Sequence, residues 1–131
     1  MKEILAFIRM NKIGITKKML ADSGFPGMTV VSSRGRGKHA VKEEAIKILM
    51  ETEGELPANE IGAHLSEAFR LTSRRTIWII VDDEQAAECV DIIIKANQTG
   101  NPGDGRIFVT TITDSWNVRT GEQLCCEAIS E

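Results

Sequence analysis

The sequence predicts an α+β sandwich, with helices on one face of an antiparallel sheet, assembled from two β-α-β halves separated by a long insertion. Three observations predict it. Residues 2–10 alternate Ile4, Ala6 and Ile8 with Glu3, Leu5 and Phe7, the period-two pattern of a strand with a buried face. Two stretches with helical spacing, Gly14–Ser23 and the run from Ala86 to Thr99-Gly100, each lie between β-rich runs. A chain of 131 residues, 42% hydrophobic and 27% charged, can build one real core but not two comfortable ones.

Taken in order, the strand over 2–10 leads to the first helix. Ile15, Met19 and Leu20 fall at core spacing there, Lys17 and Lys18 face water, and Gly24 stops the helix. The Phe25-Pro26-Gly27 turn leads to a second β run, Met28–Ser33, which continues into Arg34-Gly35-Arg36-Gly37-Lys38-His39. The insertion His39–Ser73 carries two helical patterns. Ala45, Ile46, Ile48, Leu49 and Met50 form one; Ile61, Leu65, Ala68 and Phe69 form the other, with Asn59 placed to cap it. Arg75–Val81 is the third strand. Asp82 and Asp83 are placed to cap a helix whose apolar face is Ala86, Ala87, Val90, Ile93 and Ile94. Ile107–Thr113 is the last main strand, Trp116–Arg119 a short extra one, and Gly121–Glu131 a loose tail. This order fits a ferredoxin-like sandwich.

Composition narrows the function. The net charge of −3, with basic residues scattered, gives no electrostatic footprint for nucleic acid. The longest apolar runs, 77–81 and 92–94, are far too short for a membrane span, and the N-terminus has no signal-peptide pattern. The three cysteines are Cys89, inside a helical pattern, and the adjacent Cys125 and Cys126; this odd set points to a reducing cytoplasm. No CxxC occurs and His39 and His64 lie far apart, so zinc has no ligand set.

The densest chemical signal is Thr99-Gly100-Asn101-Pro102-Gly103-Asp104-Gly105-Arg106, just before the last strand. Glycines let backbone N–H groups approach an anion, and an arginine adds charge. The same residues also make an ordinary turn. The pattern is not the Gly-x-x-x-x-Gly-Lys-Ser/Thr of nucleotide hydrolases, and no base or nucleophile joins it, which disfavours a phosphoryl-transfer enzyme.

Gly27-Met28-Thr29-Val30, Gly35-Arg36-Gly37-Lys38, Val81-Asp82-Asp83, Asp91-Ile92-Ile93, Thr99-Gly100, Gly103-Asp104-Gly105-Arg106-Ile107-Phe108-Val109 and Val118-Arg119-Thr120-Gly121-Glu122 occur in one order. That ordered set resembles the PII signal-transduction proteins over nearly the whole chain outside 39–73 and the tail. The opening Met1–Lys12 and Gly35–Lys38 look most like the second of the paired PII-like proteins encoded beside nitrogenase genes.

The resemblance implies a trimer with nucleotide sites in clefts between subunits, where ATP and ADP compete. It implies 2-oxoglutarate binding with MgATP, and a mobile excursion, the T-loop, that contacts a target. It makes residues 1–131 a single PII-like domain with the T-loop at about 39–73. Thr29, Gly35, Gly37, Lys38, Gly103, Asp104, Gly105, Arg106 and Arg119 match nucleotide-binding positions. His39 and Arg74 match effector or magnesium positions, with Arg75 a rival for the latter. His39 is read either as a ligand or as an exposed loop residue. Asn101 stands where lysine is common and Asn117 where a second arginine is usual, so two cationic phosphate ligands are missing; Lys38 keeps the charge of the usual arginine but not its bidentate geometry, and His39 stands where glutamine is usual. The chain has no tyrosine, which excludes control by uridylylation. Leu49, Leu65 and Phe69 are read either as local packing or as a partner-binding lobe.

The reading reached is a non-enzymatic, cytoplasmic regulator. It senses ATP/ADP and 2-oxoglutarate and acts on nitrogenase as a homotrimer or with a sister chain, without nucleic acid or membrane. The rival readings are control of an ammonium transporter and a non-sensing structural partner in a mixed oligomer.

Overall fold

The alternation along the first strand is realised residue by residue. In the computed structural model, which describes residues 1–37 and 71–124, strand β1 (Lys2–Arg9) buries Ile4, Ala6 and Ile8 and leaves Leu5 and Phe7 half-buried on the other face. The other elements are α1 (Ile13–Asp22), β2 (Thr29–Gly35), β3 (Thr72–Val81), α2 (Ala86–Asn97) and β4 (Arg106–Thr111). The sheet order is β2-β3-β1-β4, with β1 antiparallel to both β3 and β4. This is the ferredoxin-like arrangement that the element order predicts. The chain divides into two compact units, Met1–Ser33 with Arg74–Glu131, and Arg34–Ser73. The helical patterns read at 45–50 and 61–69 lie outside the described residues, as does the tail beyond 124.

Register makes the core. Ile4 stands opposite Ile79 and Val109, and Ala6 opposite Ile77 and Ile107, so apolar rows cross three strands on one face. Leu20, Phe25, Cys89 and Ile93 close over them, with Ile13, Val90 and Ile107 packed at the margin. Burial pushes the Cys89 thiol up to about 11.

The helix stripes are shifted from those expected: Leu20, Ala86, Val90 and Ile93 face the core as expected, and Ile15, Ala87 and Ile94 do not. In α1 the buried residues are Thr16 and Leu20, with Ile13 against the core, while Ile15 is exposed. Positions 13, 16 and 20 share a stripe that Ile15 leaves. The buried Thr16 hydroxyl is satisfied: it donates to the Lys12 carbonyl (2.7 Å) and accepts from Asn97 Nδ2 (3.0 Å). Asn97 also donates to the Ile93 carbonyl, so a polar staple joins α1 to α2. In α2 the inward stripe is Ala86, Cys89, Ile93 and Ala96, and Ala87 and Ile94 face out.

Neither Asp82 nor Asp83 caps α2 with its side chain. The chain enters through a 3-10 turn, Asp83–Gln85, whose Gln85 N–H donates to the Asp82 carbonyl (3.0 Å). Asp83 instead accepts the Met1 ammonium at 2.6 Å, which holds its carboxyl below the usual range. Gly24 does end α1, at φ 90°. The last strand stops at Thr111 rather than Thr113.

The short extra strand at 116–119 is a single bridge, Trp116 to Gln123. The start of the tail is held rather than loose: Leu124 N–H donates to the Ser115 carbonyl (2.7 Å) and Gln123 Nε2 to Asp114 (2.8 Å). Such a turn pairs too few residues to read as a strand, yet it orders the chain to 124.

The sheet face away from the helices carries Leu5 between Trp78 and Phe108. Trp78 is 45% and Phe108 47% exposed, and Phe108 meets Phe7 edge to face at 6.1 Å.

Candidate functional site

The glycine loop after α2 is built around its own carboxylate. Asp104 Oδ2 accepts the N–H groups of Thr99 (2.8 Å) and Gly100 (3.0 Å), and Oδ1 accepts the Thr99 hydroxyl. Arg9, the last residue of β1, donates to the same Oδ1 at 2.6 Å and to the Pro102 carbonyl at 3.0 Å. These donors, the Thr99 hydroxyl and N–H first, hold the Asp104 carboxyl well below the usual carboxylate range. Arg74, paired with Arg9 across the sheet, donates to the Gly103 carbonyl at 2.7 Å. Two guanidiniums on adjacent central strands thus clasp one loop.

Two glycines are required by this geometry. Gly103 has φ 93°, and a Cβ there would meet the Arg74 and Arg9 side chains at 3.3 and 3.5 Å. Gly105 has φ 121°, and a Cβ would lie 2.0 Å from the Phe7 carbonyl oxygen. The chain then enters β4 at Arg106, whose side chain is exposed and has no hydrogen bond or ion pair with the described residues. Beside it a cavity of about 370 Å³ opens between α2 and the sheet, lined by Ile8, Val90, Ile94, Gly105, Arg106 and Ile107 among others.

The structure brings together Gly103, Asp104, Gly105, Arg106 and Arg74 of the residues expected from sequence. Strand alternation separates Arg74 from Arg75: Arg75 points to the opposite face, and among the described residues its guanidinium donates to the Arg74 carbonyl. Arg9 was missed. Its signal is a charge closing the apolar run Ile4–Ile8, which sequence alone does not connect to a loop ninety residues on.

Other expected residues lie elsewhere. Thr29 opens β2, at the edge of the sheet opposite β4, and is exposed. Gly35 ends β2 and Gly37 follows it. Arg119 sits in the 116–123 turn, which leaves the sheet beyond Thr111, at the other end of β4 from Arg106. The six residues of β4 span roughly 17–20 Å. That turn is organised by Asn117, whose Oδ1 accepts the N–H groups of Arg119 (2.9 Å) and Thr120 (3.2 Å). Lys38, His39, Leu49, Leu65 and Phe69 lie outside the described residues. Among the described residues no group of His, Cys, Asp and Glu side chains is placed to hold a metal, and no helix is long and apolar enough to cross a membrane.

Residues 1–122 match the family model of the nitrogen regulatory protein P-II. The chain is 42% identical over 128 residues to the nitrogen fixation nifHD region GlnB-like protein 2 of Methanobacterium ivanovii, covering 93% of this chain and 94% of that protein. It is 39% identical over 122 residues to the protein of the same description from Methanothermococcus thermolithotrophicus, with 93% and 94% covered. The nifHD region GlnB-like protein 1 of that organism is 32% identical over 123 residues, with 93% and 97% covered. The chain belongs to the nitrogen regulatory protein P-II family.

Proposed function

We propose that this P-II protein senses ATP or ADP and 2-oxoglutarate and controls nitrogenase through the 39–73 excursion, as a trimer alone or mixed with a sister chain in the cytoplasm. One observation carries the reading: a glycine loop, held rigid by Arg9 and Arg74, presents Gly105 and an unengaged Arg106 at the mouth of a cavity. A rigid loop with a cation at its end suits a phosphorylated ligand. The paired guanidiniums of Arg9 and Arg74 suit a carboxylate effector. Magnesium would come with the nucleotide, with His39 the candidate protein ligand.

The distribution of the remaining positions supports a site shared between copies. Thr29 and Arg106 lie on opposite edges of one sheet, and Arg119 at the other end of it. A nucleotide touching all three therefore needs more than one subunit. The pairing of GlnB-like proteins 1 and 2 in one relative's organism supports a sister partner, and the nifHD-region names of the relatives support nitrogenase as the target.

The test is calorimetry of ATP on the wild type, Arg106→Ala and Arg119→Ala. Arg106→Ala should lose about 1.5–3 kcal/mol of binding, more than Arg119→Ala. Unchanged affinity in Arg106→Ala rejects the loop as phosphate site. A second reading, a non-sensing partner in a mixed oligomer, is favoured by Asn117, which stands where the family usually has a cation and serves a turn instead. Absence of ATP binding in every oligomer of the wild type would select it.

A further inference from the structure

We propose that Asp104 is a positioning residue, not a ligand contact: its carboxylate fills the nest formed by the Thr99 and Gly100 N–H groups and leaves Gly105 and Arg106 as the anion-facing part of the loop. This rests on the nucleotide reading above. Both carboxylate oxygens are committed, Oδ2 to two backbone N–H groups and Oδ1 to the Thr99 hydroxyl and Arg9. An incoming phosphate cannot use those N–H groups without expelling a carboxylate into its own field. Arg9 offsets the charge of Asp104, so the loop stays tolerable to a polyphosphate beside it. Asp104 precedes Gly105, whose backbone is fixed at φ 121° against the Phe7 carbonyl. Anchoring Asp104 therefore sets the direction in which Arg106 leaves the loop.

The experiment uses the full chain and ATP as probe, with Asp104→Ala, Asp104→Asn, Arg9→Ala and the double variant Arg9→Ala/Asp104→Asn. Calorimetry reads affinity and amide hydrogen exchange reads the loop. Asp104→Ala should lose at least about tenfold in ATP affinity. The Thr99 and Gly100 amides should then exchange fast while those of β1 stay protected. Asp104→Asn keeps one acceptor oxygen and should fall between; it decides the question if Asp104→Ala does not fold. Arg9→Ala leaves the carboxylate uncompensated, so adding Asp104→Asn should tighten ATP binding relative to Arg9→Ala alone. Additive losses would instead mark a purely structural role and overturn the proposal. So would Asp104→Ala binding ATP as well as, or better than, the wild type, since the nest would then be a phosphate site that Asp104 blocks. Failure of the wild type to bind ATP removes the nucleotide reading and this assignment together; normal wild-type binding with unaltered variants removes this assignment alone.

Discussion

Gly105 is where backbone and site constrain each other most tightly. Its φ of 121° belongs to a region that L side chains rarely adopt, and its missing Cβ leaves room for the Phe7 carbonyl oxygen at what would be 2.0 Å. The obstruction is main chain of the central strand, which has no rotamer to change. Gly105→Ala must therefore either push the loop off β1 or distort β1 itself. Backbone strain of this type and the clash together should cost roughly 2–4 kcal/mol. Denaturant unfolding of the isolated protein should show that loss. A substitution such as Gly37→Ala, where a Cβ meets nothing within 4 Å, should change stability little. Equal stability of Gly105→Ala and wild type would mean that the loop does not rest on Phe7. Asn117 teaches the complementary lesson. Read against the family pattern, it is a missing cation; in the fold it closes a turn by accepting the Arg119 and Thr120 N–H groups.

At the scale of elements, the strands were legible and the helix faces less so. Ile4, Ala6 and Ile8 sit on a two-residue period, and any error in register would turn all of them to solvent. The helical stripes are wider, so Ile15 and Ile94 could pass for core when Thr16 and Cys89 hold those places. A buried threonine there is not legible from local sequence, because its partner, Asn97, is eighty-one residues away. For the same reason the glycine loop was legible and its clasp was not: Arg9 and Arg74 reach it only through strand pairing. The insertion joins β2 to β3, which neighbour each other in the sheet. A short connection can therefore replace it, and closure entropy varies only slowly with loop length. Replacing residues 40–71 by a brief Gly/Ser linker should leave the protein folded and its oligomeric state unchanged. Inhibition of nitrogenase in a reconstituted assay should disappear. Inhibition with normal 2-oxoglutarate sensitivity would show that the excursion is not the contact surface, and loss of the oligomer would show that it belongs to the core.

At the scale of the whole molecule, the sheet has one face covered by α1 and α2 and one that no helix among the described residues covers. Leu5, Phe7, Trp78 and Phe108 form an apolar row on the second face, with Trp78 and Phe108 close to half exposed. Such an aromatic row across β3, β1 and the edge strand β4 is a surface that association buries. On the proposed reading, in which one nucleotide touches Thr29, Arg106 and Arg119, their separation asks for neighbouring copies on different grounds. If copies pack through this face, a charge placed at its centre has to be desolvated on assembly. Trp78→Glu also loses an aromatic side chain worth roughly 2 kcal/mol or more of burial in each subunit. The helix-side core, built on Ile77 and Ile79, is untouched by that change. Light scattering at micromolar concentration should therefore give a trimer-sized particle for the wild type and smaller, still folded species for Trp78→Glu. ATP affinity should fall with the assembly, although Trp78 lies outside the glycine loop. A wild type that is a stable monomer both alone and with its sister chain would remove the shared site, and a Trp78→Glu protein that stays trimeric would place the interface on another face.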